Sequence, residues 1–195
     1  MRWLGGTLLA LLVGVGIYVA SALVSLNGLV EAARSGDGAG GLARTDVDRL
    51  RHSLVDQIVS AYLKQLGRDR PVKPLERMVA NTYGASVADA MIAKMLTAEN
   101  LTAILNKGAI SSGGAAIANM QRLSEIDTSK VLQTLRRISP VKPVEFLVLL
   151  GDTEEAGGVS IHFEGKGWKL SGIQLPSAAV QVLAQDLVNS KGRNG

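Results

Sequence analysis

The sequence predicts an α+β protein: one N-terminal transmembrane helix, then amphipathic helices packed on a three-stranded antiparallel meander, with a C-terminal helix. Three observations carry this. The run Trp3 to Val30 is apolar and uncharged; apolar residues recur at 3-to-4 spacing in several segments between Val47 and Leu105; and Val159, Ile161 and Phe163 alternate with Ser160, His162 and Glu164 between two other β-prone runs. The predicted division is an anchor over 1–34, a Gly-rich connector over 35–44 and one α+β domain over 45–195. Within that domain the helical part covers 45–137, the sheet 144–175 and the last helix 177–189.

Composition narrows the function classes. With 47% apolar and 19% charged residues and a mean hydropathy of +0.20, the chain is not a disordered tail. A single long apolar run excludes a polytopic transporter. The absence of cysteine excludes disulfides, thiolate chemistry and Cys-ligated metals. The charge of +4, from 21 Lys+Arg against 17 Asp+Glu, is scattered, and aromatics are 4% of the chain, so nucleic acid is not expected as a partner.

The run Trp3 to Val30 would form a helix of ~42 Å against a hydrocarbon core of ~30 Å. A secretory signal peptide competes with this reading, since Ala20, Ser21 and Ala22 allow cleavage after Ala22. Leu23, Val24, Leu26, Leu29 and Val30 prolong the run beyond a typical signal core, which favours a retained anchor in contact with the bilayer through residues 3–30. Arg34, Arg44 and Arg49 outnumber Arg2, so a simple Lys/Arg count places the domain in the cytoplasm. Long following domains translocate regardless of charge, however, and an exported domain is preferred. Gly6, Ala10 and Gly14 line small residues along one helix face, where another membrane helix can approach closely; Gly14, Ser21 and Gly28 continue that face at heptad spacing.

Gly36, Gly38 and Gly41 match a dinucleotide fingerprint, G-x-G-x-x-G, but a helix precedes them where a strand is required, so they read as a flexible connector. Thr45 is the expected cap of a helix through Val47, Leu50, Leu54 and Ile58 that Gly67 closes. Arg68, Arg70, Lys73 and Arg77 follow as a basic stretch able to touch anionic head groups or simply to face solvent. A short helix Leu75 to Tyr83 is expected to stop at Gly84, with another opening at Ser86. Thr97 then caps a helix ended by Gly108. Ser111 to Ala116 reads as a linker and Ser129 to Arg137 as a helix. Strands follow at Val144 to Leu150, Val159 to Glu164 and Trp168 to Leu175. The near-repeat Pro71-Val72-Lys73-Pro74 and Pro140-Val141-Lys142-Pro143 reads as two rigid extended entries.

Catalytic signatures are missing. His52 falls on a polar helix face and His162 on the outward face of a strand, and no nucleophile elbow, P-loop or metal-ligand spacing occurs. No enzymatic activity, cofactor or metal is therefore expected.

The opening Met1-Arg2-Trp3, the Ser35-Gly36-Asp37 break, the helix Leu42 to Gln57 and the helix start Thr97-Ala98-Glu99-Asn100-Leu101 form one set of signatures. The strand Val144-Glu145-Phe146 and the terminal Trp168-Lys169-Leu170 with Leu175-Pro176 complete it. Together they resemble the uncharacterised bacterial domain-of-unknown-function family 2939, although Ala98 stands where members usually carry Pro. The resemblance implies a bacterial, membrane-anchored α+β protein and brings no activity. The expected function is that of a single-pass inner-membrane protein with a periplasmic domain, serving other membrane-protein subunits as an accessory or assembly subunit. The alternative is an anchored domain that encloses an apolar or lipid-like ligand.

Overall fold

A computed structural model describes residues 2–69, 73–108, 110–112, 115–117, 122–125, 137–151, 153–165 and 167–193. Helix α1 (Arg2–Ser35) has 34 residues and divides into two physically different halves. From Leu9 to Ile17 its side chains are exposed, Leu12 at 58%. From Ala22 onward one face is buried, with Leu26 and Val30 fully enclosed. Leu26, Leu29, Val30 and Ala33 share a core with residues of every later helix and of the sheet. The second half of the apolar run thus packs into the core.

The predicted connector is folded too. Gly36 turns the chain with φ at 70°, which a side chain resists. Asp37 then caps a short helix α2 (Gly38–Ala43), its carboxylate accepting from the Gly40 amide. Gly38 sits where a Cβ would lie 2.9 Å from the Ala98 carbonyl oxygen, so α2 can rest directly on α5 (Ala98–Lys107).

Helix α3 (Val47–Asp69) is capped by Asp46, whose Oδ1 accepts from the Arg49 amide. Thr45, the expected cap, instead bonds the Gly41 carbonyl and bridges to Leu170. The break expected at Gly84 does not occur: α4 (Pro74–Met95) is continuous. Gly84 lies against Tyr62, where a Cβ would stand 3.2 Å from the ring, so it serves close helix packing rather than termination. An Arg51–Asp89 ion pair clamps α3 to α4, and holds the Asp89 carboxyl below its usual range. Helix α5 follows the expected capping, with Thr97 accepting from Asn100 and Gly108 left-handed at φ 64°.

The meander has four strands, not three: β3 (Ile138–Lys142), β4 (Glu145–Leu149), β5 (Gly158–Glu164) and β6 (Gly167–Gln174), paired in that order and antiparallel. The missed strand is β3, whose Pro140 argues against a strand unless it lies at a sheet edge, as it does here. The stretch read as a linker forms a hairpin, β1 (Ile110–Ser112) with β2 (Ala115–Ile117). The helix expected over Ser129 to Arg137 lies outside the described residues except for Arg137. Helix α6 (Ser177–Arg193) closes the core with Leu183, Ala184 and Leu187.

Helix α3 runs along β6. It begins abreast of Leu170, to which Thr45 is bridged in parallel. At Gln57 the side-chain amide donates to the Ile173 carbonyl at 2.8 Å and its oxygen accepts from the Leu175 amide at 3.0 Å. The end of α3 therefore lies about 18 Å further on, away from the β5–β6 turn.

If α1 is half core, truncation must hurt in one half only. Leu26→Ala is expected to lower stability by about 2–5 kcal/mol and Leu12→Ala to leave it within about 0.5 kcal/mol, measured by denaturant unfolding in mild detergent.

Candidate functional site

The two halves of α1 meet at a cluster of aromatic rings. Tyr18 lies 5.0 Å from Trp168, 6.0 Å from Phe146 and 6.3 Å from Phe163, ring centre to ring centre, and Phe146 stacks on Trp168 at 5.0 Å. Polar handles lock the cluster. The Trp168 indole N–H donates to Ser21 Oγ at 2.9 Å, Ser21 in turn donates to the Tyr18 carbonyl at 2.7 Å, and the Tyr18 hydroxyl donates to the Pro143 carbonyl. Ala22 and Ile161 close it from below.

Strand topology explains why these residues converge. In an antiparallel meander the β3–β4 and β5–β6 turns fall at the same end of the sheet. That end carries Pro143, Phe146, Phe163 and Trp168. Helix α1 leaves the domain there, and nothing lies within 4 Å of a Cβ placed at Gly6, Gly14 or Gly16.

Of the residues singled out in the sequence, Gly6, Ala10 and Gly14 stand on this exposed stretch and touch no other part of the described chain. The heptad continuation turns inward: Ser21 holds Trp168, and Gly28 allows Arg44 to within 3.1 Å of where a Cβ would be. Only the upper part of the small-residue face is thus open to another helix. The basic set is placed at the opposite end of the domain. Arg68 ends α3, Lys73 and Arg77 are exposed at the start of α4, and Arg70 lies outside the described residues.

His162 corrects a sequence expectation. It does occupy the strand face opposite Ile161, but the start of α3 covers that face and leaves His162 only 5% exposed. Its Nε2 stands 3.5 Å from Asp46 Oδ2 with no hydrogen bond. Donor atoms of Asp46, His162 and Glu164 lie within 4.8 Å of one another, a grouping able in principle to hold a cation. Both carboxylates already face cations, however: Asp46 has Arg49 at 3.2 Å and Glu164 has Lys169 at 2.8 Å. Lys169 is held above its usual range by the Glu164 carboxylate. Each carboxylate is thus paired within its own segment, Asp46 at the start of α3 and Glu164 in the β5–β6 hairpin.

Among the described residues, α3, α4, α5 and β6 pack closely. The gap among Leu54, Ile92, Met95, Ile104 and Ile173 measures about 10 Å³, less than one water needs. An open groove of about 440 Å³ between α3 and α6 is lined by Asp56, Gln57, Lys64 and Gln181 together with Ala61 and Val180.

The aromatic joint makes a direct prediction. Ser21→Ala leaves the buried Trp168 N–H without its acceptor and is expected to lower stability by about 1–3 kcal/mol, read as a reduced denaturation midpoint in detergent.

One helix among the described residues, over Leu9–Ser35, is long and apolar enough to cross a membrane by length and composition. No curated protein and no solved structure matches the chain. A family model matches residues 11–104, which run from the exposed part of α1 through most of α5 and leave the sheet signatures outside. Over those residues the chain is similar to the family described as protein of unknown function (DUF2939).

Proposed function

We propose that this is a non-enzymatic, single-pass membrane protein that serves a larger bacterial inner-membrane complex as an accessory or assembly subunit, with its domain in the periplasm. The observation that carries the reading is the exposed half of α1. Leu9, Leu11, Leu12, Val13, Val15 and Ile17 all face outward, an apolar surface that water disfavours and lipid accepts. Retention of the segment is supported by its second half. Cleavage after Ala22 would remove Tyr18 and Ser21, both partners of Trp168, together with the buried Ala22 that packs on it, and leave Leu23 at the cut end.

The partner surface in this reading is the stretch Gly6, Ala10 and Gly14, whose small side chains let another backbone come close. A rigid joint at Tyr18 suits such a role, because it fixes the domain relative to a helix docked in the membrane. The competing reading, an enclosed apolar ligand, is not favoured by an interior gap of about 10 Å³. The reading assigns no catalytic residue, cofactor or metal.

Affinity purification of the full-length chain from its native membrane in mild detergent tests this. A stoichiometric membrane partner is expected, with its recovery reduced about tenfold, or about 1.4 kcal/mol, by Gly6→Leu with Gly14→Leu. A chain that migrates alone, with no change on substitution, contradicts the proposal.

A further inference from the structure

We propose that the hairpin end of the sheet is itself a lipid-facing foot, in which Val141, Val144 and Phe163 enter the bilayer interface around the base of α1. The inference rests on the reading of α1 as a membrane span.

Length is the first argument. Between Arg2 and Tyr18 the helix has 15 residues, Trp3 to Ile17, or about 22 Å of rise. A hydrocarbon core is about 30 Å thick. From Tyr18 onward the helix is held against the sheet, so no further residues can slide into the bilayer to make up the difference. With the charged Arg2 at one edge of the core, the protein end of the span is where apolar surface can supply the remaining ~8 Å, which draws Tyr18 and its surroundings to the interface.

Chemistry is the second. The surroundings of Tyr18 at that level are the two turns of the meander, and they expose apolar side chains: Val141 at 54%, Val144 at 48% and Phe163 at 36%. Tyr18 and Trp168, each with an apolar body and a polar tip, are the residue types that concentrate at membrane–water interfaces. Beside them stands exposed Arg44, whose long stem lets its charge reach a phosphate while the adjoining surface sinks. The acids at this end are matched, Glu145 by Lys142 at 3.2 Å and Glu164 by Lys169 at 2.8 Å, so they need not repel an anionic surface. Arg44 and Lys169 also border an open cleft of about 450 Å³ beside Trp168, wide enough for a head group. A lipid interface accounts for the apolar tips, the aromatic ring and the basic rim together.

The chain has no cysteine, so single cysteines carrying an environment-sensitive nitrobenzoxadiazole fluorophore can report depth in the intact protein. Full-length Leu12→Cys, Val144→Cys and Val79→Cys, each verified by circular dichroism, would be labelled and reconstituted into phosphatidylcholine–phosphatidylglycerol vesicles containing lipids brominated at a shallow or a deep acyl position. Val79 is exposed on α4, at the domain's far end. Val141→Cys provides a second reporter should Val144→Cys fail to fold. The expected result is strong deep quenching at Leu12, at least twofold shallow quenching with blue-shifted emission at Val144, and none at Val79. Quenching at Leu12 with Val144 behaving like Val79 overturns the foot, leaves the anchor standing and assigns the apolar tips to a protein partner. No quenching at Leu12 overturns the anchor, and the foot with it.

Discussion

One continuous helix has to satisfy two environments, and the position where it passes from one to the other governs how the rest of the molecule is arranged. Above Tyr18 the side chains of α1 from Leu9 to Ile17 are exposed; below it, Leu26, Leu29 and Val30 are enclosed. Each such side chain contributes roughly 1.5–3 kcal/mol when buried, so the second half of α1 cannot leave the domain without a loss comparable to its net stability. Trp168 marks the transition. Its ring meets Tyr18, Phe146 and Phe163, and its indole nitrogen is fixed by Ser21. Sheet and helix are joined there by stacking and by a hydrogen bond, which makes the angle between them specific.

The second strut is α3. It touches α4, β6 and α6, and its Gln57 supplies the donor and the acceptor that the end of β6 needs. Because Thr45 and Asp46 are tied to Leu170, the start of α3 is registered on the sheet at the level of His162. Helix α1 then packs against an already ordered layer, and α2, seated on α5 through Gly38, turns the chain from one strut to the other. The consequence for function is stiffness: a force or a partner acting on the exposed half of α1 is transmitted to the sheet through the aromatic joint.

Much of this was legible in the sequence. The apolar run, the helix through Leu50, Leu54 and Ile58, the Thr97 cap, the Gly108 stop and the β5–β6 alternation all appear where periodicity and turn chemistry place them. The failures share a cause, which is that local pattern does not reveal what an apolar or small residue touches. Leu12 and Leu26 are identical on any hydropathy scale, yet one is exposed and the other enclosed. Gly84 looks like a helix stop until Tyr62 is seen against it, and Pro140 hides a strand because its edge position is a property of the whole sheet. His162 was placed on the correct strand face, but the cover over that face comes from residue 46, far away in sequence. The aromatic joint was beyond reach for the same reason: it assembles residues 18, 146, 163 and 168 from four separate elements.

The claim that the lower half of α1 belongs to the domain is tested most directly by comparing the unfolding of two shortened chains, one lacking residues 2–17 and one lacking residues 2–35. The first should remain in solution without detergent and unfold in a single cooperative transition. The second should show no such transition, because Tyr18, Ser21, Leu26, Leu29 and Val30 are gone. A cooperative transition of equal midpoint in both would contradict the account and return α1 to the status of a separate anchor.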